Sequence, residues 1–555
     1  MIPLPNCGCA ENPLLLGLKN WLAAYHDRPC ASKQRYYAGA MIRSFLTVSS
    51  GTLASRLLGF ARDSLIAALL GTGAVADAFL AAFQLVNVVR RLLSEGALNA
   101  ALIPAWLRRR NSDGEQAAAA FAGRVLGTVS AALVAASIVI AVLMPLIMTV
   151  IAPGFVGNTL DLAVLNARLM LPYLAFAGPV TVLMGLLNAQ GRFALTAFSP
   201  LLFNIALIAA IAALLSEQAQ AAFAARALAA TVGFAGLLQL SMLLSQRSAR
   251  LATPLRLSFD KEMRGFFASA IPGMIASSGP QWLMVAGAII ASATPSAVSW
   301  LYFANRLIEL PLGIVGVAMG TVLVPELTRA IGTGDRSAVA HAESRALELA
   351  TGLALPATLG LIVLAEPIVR LLFEHGAFTA DDTTSTAHAL MCLALGLPAH
   401  VLIKALSPAF YARSDTMTPL LATVKGFVVA VVFALLLGHL FGATGIAASI
   451  ACGAWTSAVS LLRRGATAFG FPVDDAARKR LPRIVLAALA MGGLLWLASG
   501  LASAGTHNLL KLVVLCGQIA GGAAVYALFL RLLGVTSVRA AVDAIRRPSP
   551  RDRRT

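Results

Sequence analysis

Arginines stand inside stretches of this chain that otherwise read as membrane-spanning helices. The run from Phe45 to Leu70 carries Arg56, Arg62 and Asp63; the next carries Asp77, Arg90, Arg91 and Glu95; a later one carries Arg306 and Glu309. A charge at the bilayer centre costs about 2.5–3.5 kcal/mol on insertion scales, so such residues usually face a wet cavity or a partner. The guanidinium narrows the choice, because its planar fork donates two parallel charge-assisted hydrogen bonds that match phosphate oxygens. A chamber holding Arg56, Arg90 and Arg306 suits a diphosphate or a similar multivalent anion. Acid–base or metal chemistry generally needs clustered carboxylates. The adjacent acidic pairs, Asp381-Asp382 and Asp474-Asp475, fall in connections on opposite sides of the membrane. No catalytic residue, metal site or cofactor is therefore expected.

The elements that must position these arginines are membrane helices. The chain is 58% hydrophobic and 12% charged, with a mean hydropathy of +0.80, whereas soluble domains carry about 25% charged residues. Repeated apolar runs of about 20 residues give about fourteen candidate spans, from 45–70 and 77–106 through to 483–503 and 508–533. The formal charge of +18 would suggest nucleic acid in a soluble protein. Here the basic residues gather in alternate short connections, from Arg108-Arg109-Arg110 to Arg478-Lys479-Arg480, while the others are almost free of Lys and Arg. That asymmetry is the positive-inside pattern; it places both termini in the cytoplasm and leaves nucleic acid without support. Cys392, Cys452 and Cys516 lie alone in apolar runs, and Cys7, Cys9 and Cys30 lack the ligand set of a zinc site. Met41 opens a better membrane-protein start, so residues 1–40 read as a dispensable extension, disordered or a start-site artefact.

Helix geometry sorts the polar positions. At about 100° per residue, Asp77, Gln84, Asn87, Arg91, Glu95 and Asn99 fall within one sector of roughly 120° on the second span. Arg91 and Glu95, at i and i+4, can satisfy one another locally. Arg90 sits beside the stripe and has no acidic residue at that spacing. On the first span Arg56 and Asp63 share a face, with Ser55 among the polar residues before them. Arg62 points about 120° away, which fits a packing role as well as a cavity role. Arg306 has Glu309 three residues on, which is again a possible local pair.

Sliding the chain over itself lays Ala97–Pro104 on Ala318–Pro325, Arg108 on Arg329 and Arg124 on Arg345. FSPLL around Pro200 and MTPLL around Pro419 match at nearly the same offset. The reading is an all-α polytopic membrane protein with two parallel six-helix lobes, 41–262 and 263–480, two further helices within 481–535, and a basic tail at 536–555. Parallel lobes flanking a central site are an architecture of alternating-access carriers.

The segment SRLLGFARDSLIAALLGTGAVADAFLAAFQLVNVVRRLLSEGALNAALIP resembles the first two helices of the MurJ/MviN lipid II flippases, of the MOP exporter superfamily. SWLYFANRLIELPLGIVGVAMGTVLVPEL and LIKALSPAFYARSDTMTP resemble that family's eighth helix and its tenth-to-eleventh connection. The likeness covers most of 41–535, including the two C-terminal helices that set the family apart from twelve-helix relatives. It implies that an undecaprenyl-diphosphate-linked peptidoglycan precursor, lipid II, crosses the bacterial inner membrane through a central cavity. Family cavity arginines match Arg56, Arg62, Arg90 and Arg306, and family acidic residues match Asp77 and Glu95. Asn87, Glu309 and Ser55 complete the expected polar lining. Two departures stand out: the usual LPN is Leu85-Val86-Asn87, which should straighten the second helix, and an Asp often found before the eighth-helix arginine is Asn305.

On this reading the headgroup enters the cavity and the isoprenoid tail lies in a lipid-facing groove walled by 483–503 and 508–533. The spans 266–292, 418–440 and 443–463 hold no Asp or Glu, so the membrane potential is the expected driving force. Alternatives are a flippase for another lipid-linked glycan, a drug/cation antiporter, a polyprenyl-phosphate enzyme, or a scaffold for wall-synthesis and division proteins.

Overall fold

The structure is a computed structural model and describes residues 31–94, 97–245, 252–277, 279–318, 336–411, 413, 415–470, 474–501 and 508–535. Lipid offers no partner for a backbone N–H or C=O, so apolar runs satisfy these groups internally as helices. Among the described residues there is no strand, and nine helices are long and apolar enough to cross a membrane. One of them, Met417–Phe469, is two spans joined at Gly442, whose φ of 55° only glycine adopts without strain. Four further segments carry too much polarity or are too short to join that set: α1 (Ala31–Leu70), α2 with α3 (Ala74–Ser94, Ala97–Ser112), α9 with α10 (Lys261–Ser277, Gly279–Ala291) and α11 (Ala297–Ala318). Counted with these, the described residues hold fourteen candidate spans. The segments that miss the apolar criterion include all three that carry the intramembrane arginines. Residues 1–30 of the expected extension, Glu95 and the basic tail lie outside the described residues, as does the Arg91 side chain; residues 31–40 open α1.

The first bundle contains α1–α3, α4 (Gly114–Ile151), α5 (Asn158–Met170), α6 (Pro172–Ala189), α7 (Phe193–Ser216) and α8 (Ala221–Ser245). Pro172 at the first position of α6 removes an N–H that needs no partner there, so α5 and α6 form one span with a break. α2 runs unbroken through Leu85-Val86-Asn87. The second bundle contains α10, α11, α12 (Arg336–Val363), α13 (Ala365–Phe373), α14 (Ala380–Tyr411) and α15 (Met417–Phe469), flanked by α16 (Asp475–Leu501) and α17 (Asn508–Leu532). Buried contacts are rich in alanine, including Ala67, Ala78, Ala82, Ala229, Ala389 and Ala454. Small residues let helices approach where lipid supplies no hydrophobic drive for association. Large apolar side chains such as Leu146, Leu436 and Trp496 point outward instead.

The seventh span is shared between bundles. Asp260 caps α9 by accepting a hydrogen bond from the Met263 N–H at 2.8 Å. α9 then packs on α3, while its continuation α10 packs on α15. Arg124 of α4 pairs with Asp260 at 2.9 Å and with Glu262 at 3.0 Å, which pins this start to the first bundle. α16 packs along α12, and Tyr526 of α17 donates to the Gly352 carbonyl at 2.8 Å.

Candidate anion site between the bundles

α1 and α11 meet where the two bundles face each other, and Asp63 is the centre of that meeting. Its carboxylate is fully buried. Oδ1 accepts from Arg62 Nε at 2.9 Å, Arg62 Nη2 at 2.6 Å and the Tyr302 hydroxyl at 3.2 Å. Oδ2 faces Arg306 Nε across the bundles at 2.5 Å. Arg306 Nη1 donates to Glu309 at 2.8 Å, as the spacing suggested. A buried carboxylate between two guanidiniums is a compensated charge; removing one partner of such a pair costs about 3–5 kcal/mol.

The four expected arginines take different roles. Arg62 is 7% exposed and its donors go to Asp63 and to Asn204 Oδ1 at 2.9 Å. Phe83 and Phe203 lie against its guanidinium at 5.2 and 5.7 Å, within cation–π range. Arg62 thus belongs to the protein interior and shapes Asp63. Arg56 is exposed and has no hydrogen-bond or ion-pair partner among the described residues; its guanidinium lies over Gly313 of α11. Arg306 leaves Nη2 without a partner among the described residues, aimed at Gly59 of α1. Arg90 is half-buried and donates to Asn87 at 3.2 Å. Ser55 contributes its carbonyl, which accepts from Asn204 Nδ2 at 3.1 Å. Lys404 of α14, absent from the sequence-derived set, brings its ammonium to Gly316, one turn from the Arg56 seat. The only hint of it was a lone lysine in an apolar run.

Asp77 stands apart from the arginines, buried at the first turn of α11. It is 3% exposed and accepts from the Ser299 N–H at 2.9 Å and the Ser299 hydroxyl at 2.5 Å. Ser299 is the third residue of α11, so Asp77 caps that helix from across the bundles. This end is knit further. Asp382 receives Thr72 Oγ1 at 2.6 Å, Trp300 Nε1 at 3.1 Å and the Thr379 N–H at 2.9 Å. The Ala377 N–H donates to the Ala68 carbonyl at 2.8 Å, and Ser64 Oγ bonds the Leu372 carbonyl. Gly71 and Gly376 allow these two backbones to touch: a Cβ on either would collide with the opposite chain. Gly154 N–H reaches Ser292 Oγ at 3.0 Å beside them.

The arrangement can hold an anion: guanidinium donors from both bundles converge, and Arg56, Arg62 and Arg306 outnumber the carboxylates of Asp63 and Glu309. Among the described residues no cluster of His, Cys, Asp or Glu could hold a metal ion.

Fold and site together define a polytopic membrane protein with two bundles around a central polar junction. A solved structure described as lipid II flippase MurJ in an inward closed conformation superposes with a TM-score of 0.73 at 23% identity, covering 88% of this chain and 98% of that one. An inward-facing multidrug resistance MATE family transporter of the MOP superfamily gives 0.62 at 16% identity over 80% of this chain and 98% of its own. The family model for lipid II flippase MurJ matches residues 66–515. A probable lipid II flippase MurJ of Rhizobium tropici is 36% identical over 512 residues, 90% of this chain and 95% of its own. The lipid II flippase MurJ of Burkholderia cenocepacia is 33% identical over 434 residues, 76% and 83% of the two chains. The chain belongs to the MurJ family.

Proposed function

We propose that this chain flips lipid II from the cytoplasmic to the periplasmic leaflet of the inner membrane by alternating access, without chemistry on the substrate. The diphosphate is received by Arg56 and Arg306, with Arg90 and Lys404 adding charge, while Arg62 holds Asp63 in place. The observation that carries this reading is the pair of guanidiniums from opposite bundles with donors left over. The positive-inside pattern supports cytoplasmic termini, and it makes the knit end, with Asp77, Asp382 and Ala377, the periplasmic one. Closure there and spare donors inside suit loading from the cytoplasm. Rocking that parts Asp77 from Ser299 and Asp382 from Thr72 and Trp300 would then expose the headgroup. The isoprenoid tail runs along α16 and α17, and the membrane potential acts on the charged substrate and cavity.

Arg56→Ala should abolish growth complementation with membrane levels unchanged; Arg306→Ala should abolish it as well, with a lowered unfolding temperature because buried Asp63 loses a partner. Normal growth of both variants refutes the assignment. Translocation of labelled lipid II by purified protein in liposomes, with and without an imposed potential, tests the direction and the driving force. The MATE likeness is one of fold; an excess of cations at the junction disfavours a cationic drug.

A further inference from the structure

Two glycines at the α1–α11 crossing have no part in the mechanism above, and each lies beneath the arginine of the opposite helix. A Cβ on Gly59 would stand 2.7 Å from Arg306 Nη2, with the next atoms, both of Asn204, at 3.7 and 3.8 Å. A Cβ on Gly313 would overlap the Arg56 guanidinium, to which its three nearest atoms all belong. The pairing reverses along the two helices, Arg56 with Gly313 and Gly59 with Arg306, so the helices cross antiparallel. Arginine and glycine are three positions apart on α1 and seven apart on α11, and both spacings keep them on one helix face. Each helix therefore offers the other one guanidinium and one bare stretch of backbone.

We propose that Gly59 and Gly313 are positioning residues: reciprocal seats that hold Arg306 and Arg56 against the partner helix and so set the spacing of the two guanidiniums that meet the diphosphate. The proposal rests on reading that arginine pair as the anion site. An arginine without hydrogen-bonded partners in the protein is restrained by packing, and the Arg56 guanidinium packs over the bare backbone of Gly313. For Arg306, Asp63 and Glu309 fix Nε and Nη1, and the bare Gly59 gives Nη2 its room. A seat of this kind restrains the fork while consuming none of its donors, as a preorganised binding group requires. An added methyl group would strike the mobile ends of side chains and not a backbone, so the fold tolerates it while the guanidinium moves.

The test is binding of farnesyl diphosphate to the purified full chain in detergent micelles, with thermal unfolding followed alongside. Gly59→Ala and Gly313→Ala should unfold as the wild type does and bind about tenfold more weakly, the loss of one charge-assisted hydrogen bond. In the doubles Gly313→Ala/Arg56→Ala and Gly59→Ala/Arg306→Ala, the glycine change should add nothing to the loss caused by the arginine change. Wild-type affinity in both glycine variants, or a further tenfold loss on the arginine-free backgrounds, overturns the seating. Misfolding of Gly313→Ala that persists with Arg56→Ala overturns it as well, because no guanidinium then remains for the methyl to strike. Unchanged binding by Arg56→Ala and Arg306→Ala sinks the anion-site reading itself, and that failure is distinct because it shows in the arginine variants.

Discussion

Asp63 and Asp382 are both buried carboxylates that tie the two bundles together, and they are satisfied in opposite ways. Asp63 lies between the guanidiniums of Arg62 and Arg306. Asp382 is met by hydroxyls, an indole and a backbone N–H, all neutral donors. Neutral donors can be exchanged for water when the end of the molecule opens, at a net cost of about 1.5–3 kcal/mol per bond to a carboxylate. Guanidiniums cannot be abandoned so cheaply in a low-dielectric interior. The junction therefore keeps its charges together, while the knit end is built from contacts suited to parting.

The largest test of this contrast is Asp63→Ala. It leaves Arg62 without an acidic partner and Arg306 with Glu309 alone, and should cost about 3–5 kcal/mol, read as a lowered unfolding temperature in detergent. Wild-type unfolding of this variant would mean that the carboxylate does not organise the junction. A smaller effect is expected at the other end: Asp77→Ala removes the cap of α11 and should cost about 1 kcal/mol by the same measurement. A loss as large as that of Asp63→Ala would erase the distinction between the two regions.

The smallest effect concerns the anchored start of α9. Hydrogen bonds from the Met263 N–H and the Ser258 hydroxyl hold the Asp260 carboxyl below its ordinary value, and the nearby Arg124 adds to this. A depressed carboxylate stabilises the folded state above its unfolded pKa of about 3.9 and loses that contribution as pH falls through the lower folded value. Unfolding of the wild type should therefore weaken more steeply than that of Asp260→Asn below about pH 4. Parallel acid limbs for the two proteins would remove Asp260 from the anchoring of α9.

What the sequence could disclose follows from what periodicity encodes. Apolar runs located the spans, and the split of α15 at Gly442 falls between the runs 418–440 and 443–463. The arginines stood out because lipid makes them costly, and the Arg306–Glu309 pair was legible from its spacing. The i+1 contact of Arg62 with Asp63 was not, because neighbouring helix positions diverge by about 100° and only the length of arginine closes the gap. Asp77 was read as cavity-facing from its place on the polar stripe. Its true partner, Ser299, is far along the chain, and no local pattern records which helix end a carboxylate will cap. Lys404 and the two seating glycines escaped for a similar reason: their meaning lies in what the opposite helix places over them.

The backbone bond between the Ala377 N–H and the Ala68 carbonyl has a consequence for observing this protein at work. That amide belongs to a loop beyond α13, yet its acceptor sits in the other bundle, so opening of this end frees it for water. Its exchange with solvent deuterium becomes a clock for the opening event, with a protection factor set by the fraction of time the end stays shut. A ligand that favours the shut form should slow the clock, and one that drives the transition should quicken it. One amide proton would then report a bundle-scale movement without any label attached to the chain.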